Sequence, residues 1–171
     1  MDSKETEFDL DEVAVILDEG NGVLAEKYVK DLPHSERARL LSRMDDDSRE
    51  KMLGLVDSSF AADLIQGLGE TQSIEILESV SPGLAAEVVD QVPSDEQADL
   101  LSGCDEEIAE KILAAMTPEE AVDARELMQY EWDTAGGMMI TEYLAYRGTT
   151  TVREVAEDMR SNRDQYADFD I

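Results

Sequence analysis

The sequence predicts an all-α protein: a right-handed superhelix of about ten short helices on a 12-residue repeat. Three observations predict it. Apolar residues recur at fixed positions every twelve residues. Within each unit they fall at helical spacing. The unit boundaries carry helix-start signals.

Written in twelves from Asp45, units begin at Asp45, Asp57, Gly69, Ser81, Pro93, Asp105 and Thr117. Their last residues are all apolar: Val56, Leu68, Val80, Val92, Cys104, Met116 and Met128. Position nine holds Leu53, Ile65, Leu77, Val89, Leu101 and Leu113, and position eight Met52, Leu64, Ile76, Val88, Leu100 and Ile112. Positions five and six are rich in Ala, as at Ala61, Ala85, Ala98, Ala109 and Ala121. The phase runs backwards through Leu40, Leu41 and Met44, then Tyr28, Val29 and Leu32, then Ile16 and Leu17. It weakens in the last unit, where Ala124 and Arg125 replace the large pair.

These positions make one apolar face of a helix. One long helix does not fit. Twelve residues at roughly 100° each turn the stripe about 120° out of phase per unit. Ser81-Pro82 and Thr117-Pro118 read as N-caps followed by Pro at the first helical position. Thr117 with Glu120, and Ser94 with Gln97, have capping-box spacing. Each unit is therefore a short helix and a tight turn. A helix this short is unstable alone, so the units must share a continuous core as a superhelix.

Beyond the repeat, Asp133-Thr134-Ala135-Gly136-Gly137 breaks the pattern. Met138 to Ala145 reads as an extended segment, and Tyr146-Arg147-Gly148 as a turn. Thr151-Val152-Arg153-Glu154 has capping-box spacing and opens a helix through Val155, Ala156 and Met159.

Charge narrows the function. The 171 residues carry 42 acids against 14 Lys and Arg, a net charge of −28. Nucleic-acid binding depends on Lys and Arg, so no nucleic-acid partner is expected, nor docking on anionic lipid. Cations and basic proteins remain. A solvated surface and adaptation to a salty cytoplasm explain the acidity equally well at this stage. One cysteine, Cys104, permits no internal disulfide and suits a reducing compartment. No signal peptide is visible at the N-terminus, and no run approaches the ~18 apolar residues that span a bilayer.

The chain is not expected to be an enzyme, and no catalytic residue is assigned. His34, the single histidine, reads as an exposed turn residue beside Pro33, and Cys104 as a small core residue. Trp132 reads as packing at a junction rather than as a ligand-stacking group. No CxxC, HExxH, phosphate-loop or GxGxxG pattern occurs. Hard-cation binding remains, because Mg²⁺ takes carboxylate oxygens and keeps several waters. Acid pairs at helical spacing include Glu87 with Asp90, Asp95 with Asp99, and Glu106 with Glu110. For each pair taken alone, a solvated helix face is the better reading.

The stretch Tyr130-Glu131-Trp132-Asp133-Thr134-Ala135-Gly136-Gly137-Met138-Met139 resembles the Tyr-x-x-Asp-[Ser/Thr]-Ala-Gly-Gly-x-Met junction of MgtE-type magnesium transporters. Units such as Leu64-Ile65-Gln66-Gly67-Leu68 resemble that family's helical superhelix. Thr151-Val152-Arg153-Glu154-Val155 resembles the start of its first CBS helix. The resemblance implies a flexible N-terminus over 1–8 and a superhelical domain over 9–130. Residues 131–171 would then be the junction and an incomplete CBS fragment.

It further implies a Mg²⁺-sensing regulatory domain on the cytoplasmic side of the cell membrane, not itself membrane-inserted. Its partners would be its own CBS pair and transmembrane domain, in a full-length homodimer. Mg²⁺ would be a weak regulatory ion shared with the missing CBS region. Glu87 is the position that matches a family interface carboxylate, and Asp90 is its neighbour; these are the expected metal residues. Two other interface carboxylates fall on Gly83 and Lys51, which cannot ligate, so the ligand set must differ. A helical-repeat scaffold for protein partners, and a regulatory arm of a CBS-containing enzyme, are the alternatives.

Overall fold

The computed structural model describes residues 8–131, 133–141 and 143–163. Ten helices of eight to ten residues follow one another from Leu10 to Leu127: α1 (Leu10–Asp18), α2 (Gly22–Asp31), α3 (His34–Arg43), α4 (Asp46–Leu55), α5 (Ser58–Gln66), α6 (Glu70–Ser79), α7 (Pro82–Val89), α8 (Ser94–Gly103), α9 (Glu106–Ala115) and α10 (Pro118–Leu127). An eleventh, α11 (Val152–Ser161), follows the junction. The all-α reading and the count of about ten short helices hold.

The repeat positions fill the core. Leu53, Ile65, Leu77, Val89, Leu101 and Leu113 at position nine are all at most 2% exposed. Burying each such aliphatic side chain contributes about 1.5–3 kcal/mol, which is what holds helices too short to stand alone. Cys104 is buried as expected. Its thiol donates to Leu100 O at 3.2 Å, and burial, with the nearby Glu78 carboxylate, pushes its pKa to about 11.

Helices stack on their second neighbours. α5, α7 and α9 form one column; α4, α6, α8 and α10 form the other. The structural unit is therefore a helix pair of 24 residues, and position five shows why. In the α5–α7–α9 column it is Ala61, Ala85 and Ala109, each at most 4% exposed, so neighbouring backbones approach closely. In α4, α6 and α8 of the other column a polar side chain returns to the preceding carbonyls, whereas α10 carries Ala121 there. Ser73 Oγ donates to Ile65 O at 2.9 Å, and Gln97 Nε2 to Val92 O at 2.6 Å. Arg49 donates to Leu41 O and Met44 O at 3.1 and 2.9 Å. Arg37 on α3 does the same one unit earlier, to Leu32 O and Lys30 O, so small and polar residues alternate only from α4 to α9. These bonds satisfy carbonyls that a helix end leaves without partners.

The start signals hold in part. Thr117–Glu120 and Thr151–Glu154 form full capping boxes. Ser81 precedes Pro82 as expected, but its N–H and hydroxyl both donate to the Glu50 carboxylate of α4 at 2.6 Å. The expected Ser94 cap is corrected: Pro93 is the N-cap, and Ser94 opens the helix. Gln97 is therefore one position too far along for a capping box, and it turns to Val92 instead. Pro33 likewise caps α3. Proline has no N–H, so Glu36 at the third helical position has no cap donor to accept from. One of its oxygens bonds Arg39 at 2.6 Å, and the other is buried without a partner.

The segment Met138–Ala145 contains no strand among the described residues. A single extended run gains ladder bonds only beside a second strand. Thr141 N–H instead donates to Ser94 Oγ of α8 at 2.8 Å.

Candidate functional site

Asp90, which caps the C-terminus of α7, does not meet Glu87. Its side chain hydrogen-bonds Glu120, at the start of α10, and accepts from Gln91 Nε2 at 3.2 Å. Partial burial, followed by the hydrogen bond and like charge of Glu120, raises the Asp90 pKa from 3.8 to about 6. Glu120 moves the opposite way, chiefly because the Thr117 hydroxyl donates to it. It is anchored there, since Thr117 N–H also donates to its Oε2 at 3.0 Å. Two carboxyls are thus held in contact by two helix termini, and one keeps a proton well above the usual aspartate range. Glu87 is exposed one turn earlier on α7.

A second acidic group lies on α8 and α6. The Asp99 carboxyl is raised, first by desolvation and then by Glu70, Asp95 and Glu96. Asp99 and Glu70 line a cleft of about 630 Å³ together with Met128, Tyr130, Glu131 and Asp133. The predicted pair Asp95–Asp99 is therefore joined by Glu70 from the neighbouring helix. Glu106 and Glu110 diverge in role, because Glu110 forms an ion pair with Arg125 at 2.9 Å. Lys51 lies 3.7 Å from Asp18, and Gly83 faces open space. Among the described residues no three His, Cys, Asp or Glu side chains are grouped to hold a metal ion. His34 is exposed, in the first turn of α3 rather than in a loop. Trp132 lies outside the described residues.

Sequence reasoning missed Glu120 as the partner of Asp90. The two lie thirty residues apart at different repeat positions, so the 12-residue alignment does not juxtapose them. The signal available was the Thr117–Glu120 capping box, which fixes where the Glu120 carboxylate points.

The junction after α10 is a compact turn. Thr134 Oγ1 donates to Glu131 O at 2.7 Å and accepts from Gly137 N–H at 3.2 Å. A Cβ on Gly136 would lie 2.4 Å from Tyr130 Cδ1, so the ring packs directly on the glycine. No helix of the described residues is long and apolar enough to cross a membrane.

Two solved structures resemble the fold. One is described as the cytosolic domain of the Mg²⁺ channel MgtE in complex with ATP: TM-score 0.71, 24% identity, 89% of this chain and 62% of that one. The other is described as the soluble part of a magnesium transporter: TM-score 0.68, 22% identity, 90% of this chain and 61% of that one. This chain thus spans less than two thirds of each. No curated protein sequence matches it. The family model of the MgtE intracellular N domain matches residues 32–133, more than half of the chain, and the chain belongs to that family.

Proposed function

We propose that this chain is the Mg²⁺-sensing regulatory part of a magnesium transporter, on the cytoplasmic side of the membrane, and that it catalyses no reaction. Residues 9–130 form the sensing superhelix and 131–171 the junction and start of a CBS repeat. The partners are the completed CBS pair and the transmembrane domain, in a homodimer. The observation that carries the reading is the Asp90–Glu120 contact, supported by membership of the family. Two carboxyls fixed in contact repel once both ionise, and a divalent ion beside them relieves that repulsion.

The residues fit such an ion. Asp90 and Glu120 are two hard oxygen donors at a solvent-accessible edge, which suits a cation that takes few protein ligands and keeps most of its water; Glu87 is exposed one turn earlier on α7. Bound Mg²⁺ would supply positive charge between acidic domains and hold them together. As Mg²⁺ falls, self-repulsion of the −28 chain drives those domains apart and releases the pore.

The test is small-angle scattering on a chain extended through a complete CBS pair, with millimolar MgCl₂ against KCl at matched ionic strength. Compaction in MgCl₂ alone is expected. Equal compaction in both salts removes specific sensing.

A further inference from the structure

The charges of this chain are not spread evenly along the superhelix. Residues 27–51 hold seven Lys and Arg against six acids; residues 52–110 hold fourteen acids and no base. A solenoid converts position in the chain into position along an axis, since each unit touches only near neighbours. Basic residues of the first turns reach the middle only at its near edge, where Lys30 lies over the Phe60 ring and Arg49 donates to Ser79 Oγ. Among the described residues none of them forms an ion pair with an acid of 52–110.

The ion pairs follow the same map. Lys30–Glu26, Arg39–Glu36, Arg49–Asp46 and Lys51–Asp18 stand before residue 52. Lys111–Glu107 and Arg125–Glu110 stand at the far end. Helix ends show the same deficit. α2, α3 and α10 each place a base in the last turn, where it complements the partial negative charge of the helix terminus. The six consecutive helices α4 to α9 place none there. Asp90 and Asp99, both raised first by partial burial and then by acidic neighbours, lie in this same stretch.

We infer that helices α5 to α8 form a unit whose folding depends on cations drawn from solution, while α2 to α4 hold themselves by internal ion pairs. Packed helices lie about 8–10 Å apart. At physiological salt the screening length is about 8 Å; at 0.01 M it is about 30 Å, long enough to couple carboxylates across several helices. Lowering salt therefore raises the free energy of the middle and spares the first turns. Because repeat stability is local, the middle opens before the ends. The inference rests on where the charges lie, not on selectivity for Mg²⁺.

Hydrogen exchange read by mass spectrometry on this chain tests it, in KCl at 300 mM and at 10 mM. Exchange in α6 to α8 should accelerate about tenfold or more at low salt, while α2 and α3 change less than about threefold. The double variant Glu75→Lys with Ser102→Lys places bases on α6 and in the last turn of α8. It should abolish most of the salt response of the middle. A uniform response along the chain, a response led by α2 and α3, no response, or an unaltered response in the double variant each overturns the inference. Equal effects of MgCl₂ and KCl would sink the sensing proposal and leave this one standing.

Discussion

Asp90→Asn should stabilise this chain at high pH and leave it unchanged at low pH. The asparagine imitates the protonated carboxyl and can still donate to Glu120. Asp90 has its pKa raised in the fold from 3.8 to about 6. The sign follows from that direction. Well below pH 3.8 the group is protonated folded and unfolded alike, so it contributes nothing. As pH rises through 4 to 6 the unfolded chain ionises first, and the fold loses stability until both forms are ionised. The full shift corresponds to about 3 kcal/mol at 1.36 kcal/mol per pH unit. Asp90 remains largely in contact with water, and Glu120 shifts oppositely, so screening leaves about 1 kcal/mol. For a domain of this size that is about 2–4 °C in Tm. Thermal unfolding followed by circular dichroism, at pH 4 and pH 8 in magnesium-free buffer, reads it directly. A gain of the same size at both pH values, or a loss at pH 8, would refute the argument.

Further outcomes follow from named contacts. Gly22→Ala places a Cβ 2.0 Å from Leu55 O, which is backbone and cannot turn aside, so denaturant titration should show a loss of about 1–3 kcal/mol. Gly83→Ala meets nothing within 4 Å in the first turn of α7 and should gain up to about 1 kcal/mol from helix propensity. Leu101→Ala empties a site of 0% exposure at a cost of about 2–5 kcal/mol. Thr117→Ala removes the cap of α10 and the hydroxyl donor to Glu120 while keeping the backbone N–H, costing about 1 kcal/mol in the same titration. Cys104, with its pKa near 11, should resist a thiol reagent at pH 8 until the chain is unfolded, which absorbance at the reagent's product band would follow.

Much of the fold is legible in the sequence because every helix must bury the same stripe. Leu53, Ile65, Leu77 and their counterparts announce both helix spacing and core. The pairing into 24-residue units was also written there, in the alternation of Ala61, Ala85 and Ala109 with Ser73 and Gln97. It needs the structure to interpret, since only the stacking of second neighbours gives small and polar residues different tasks. The caps divide the same way. Thr117 and Thr151 act locally and are readable from spacing. Ser81 takes its partner from Glu50, on a helix three units back, and Pro93 displaces Ser94 by its lack of an N–H. The candidate site was least legible, because Asp90 meets a residue thirty positions away rather than Glu87 on its own helix.

The contact between Tyr130 and Gly136 sets the angle at which the chain leaves its last superhelical turn. The aromatic ring occupies the volume that a methyl group at 136 would fill, so the bend depends on an atom the sequence omits. Whatever follows residue 137 is aimed by that bend, as a lever is by its pivot. Even an alanine at 136 would re-aim everything downstream while leaving the ten stacked helices intact.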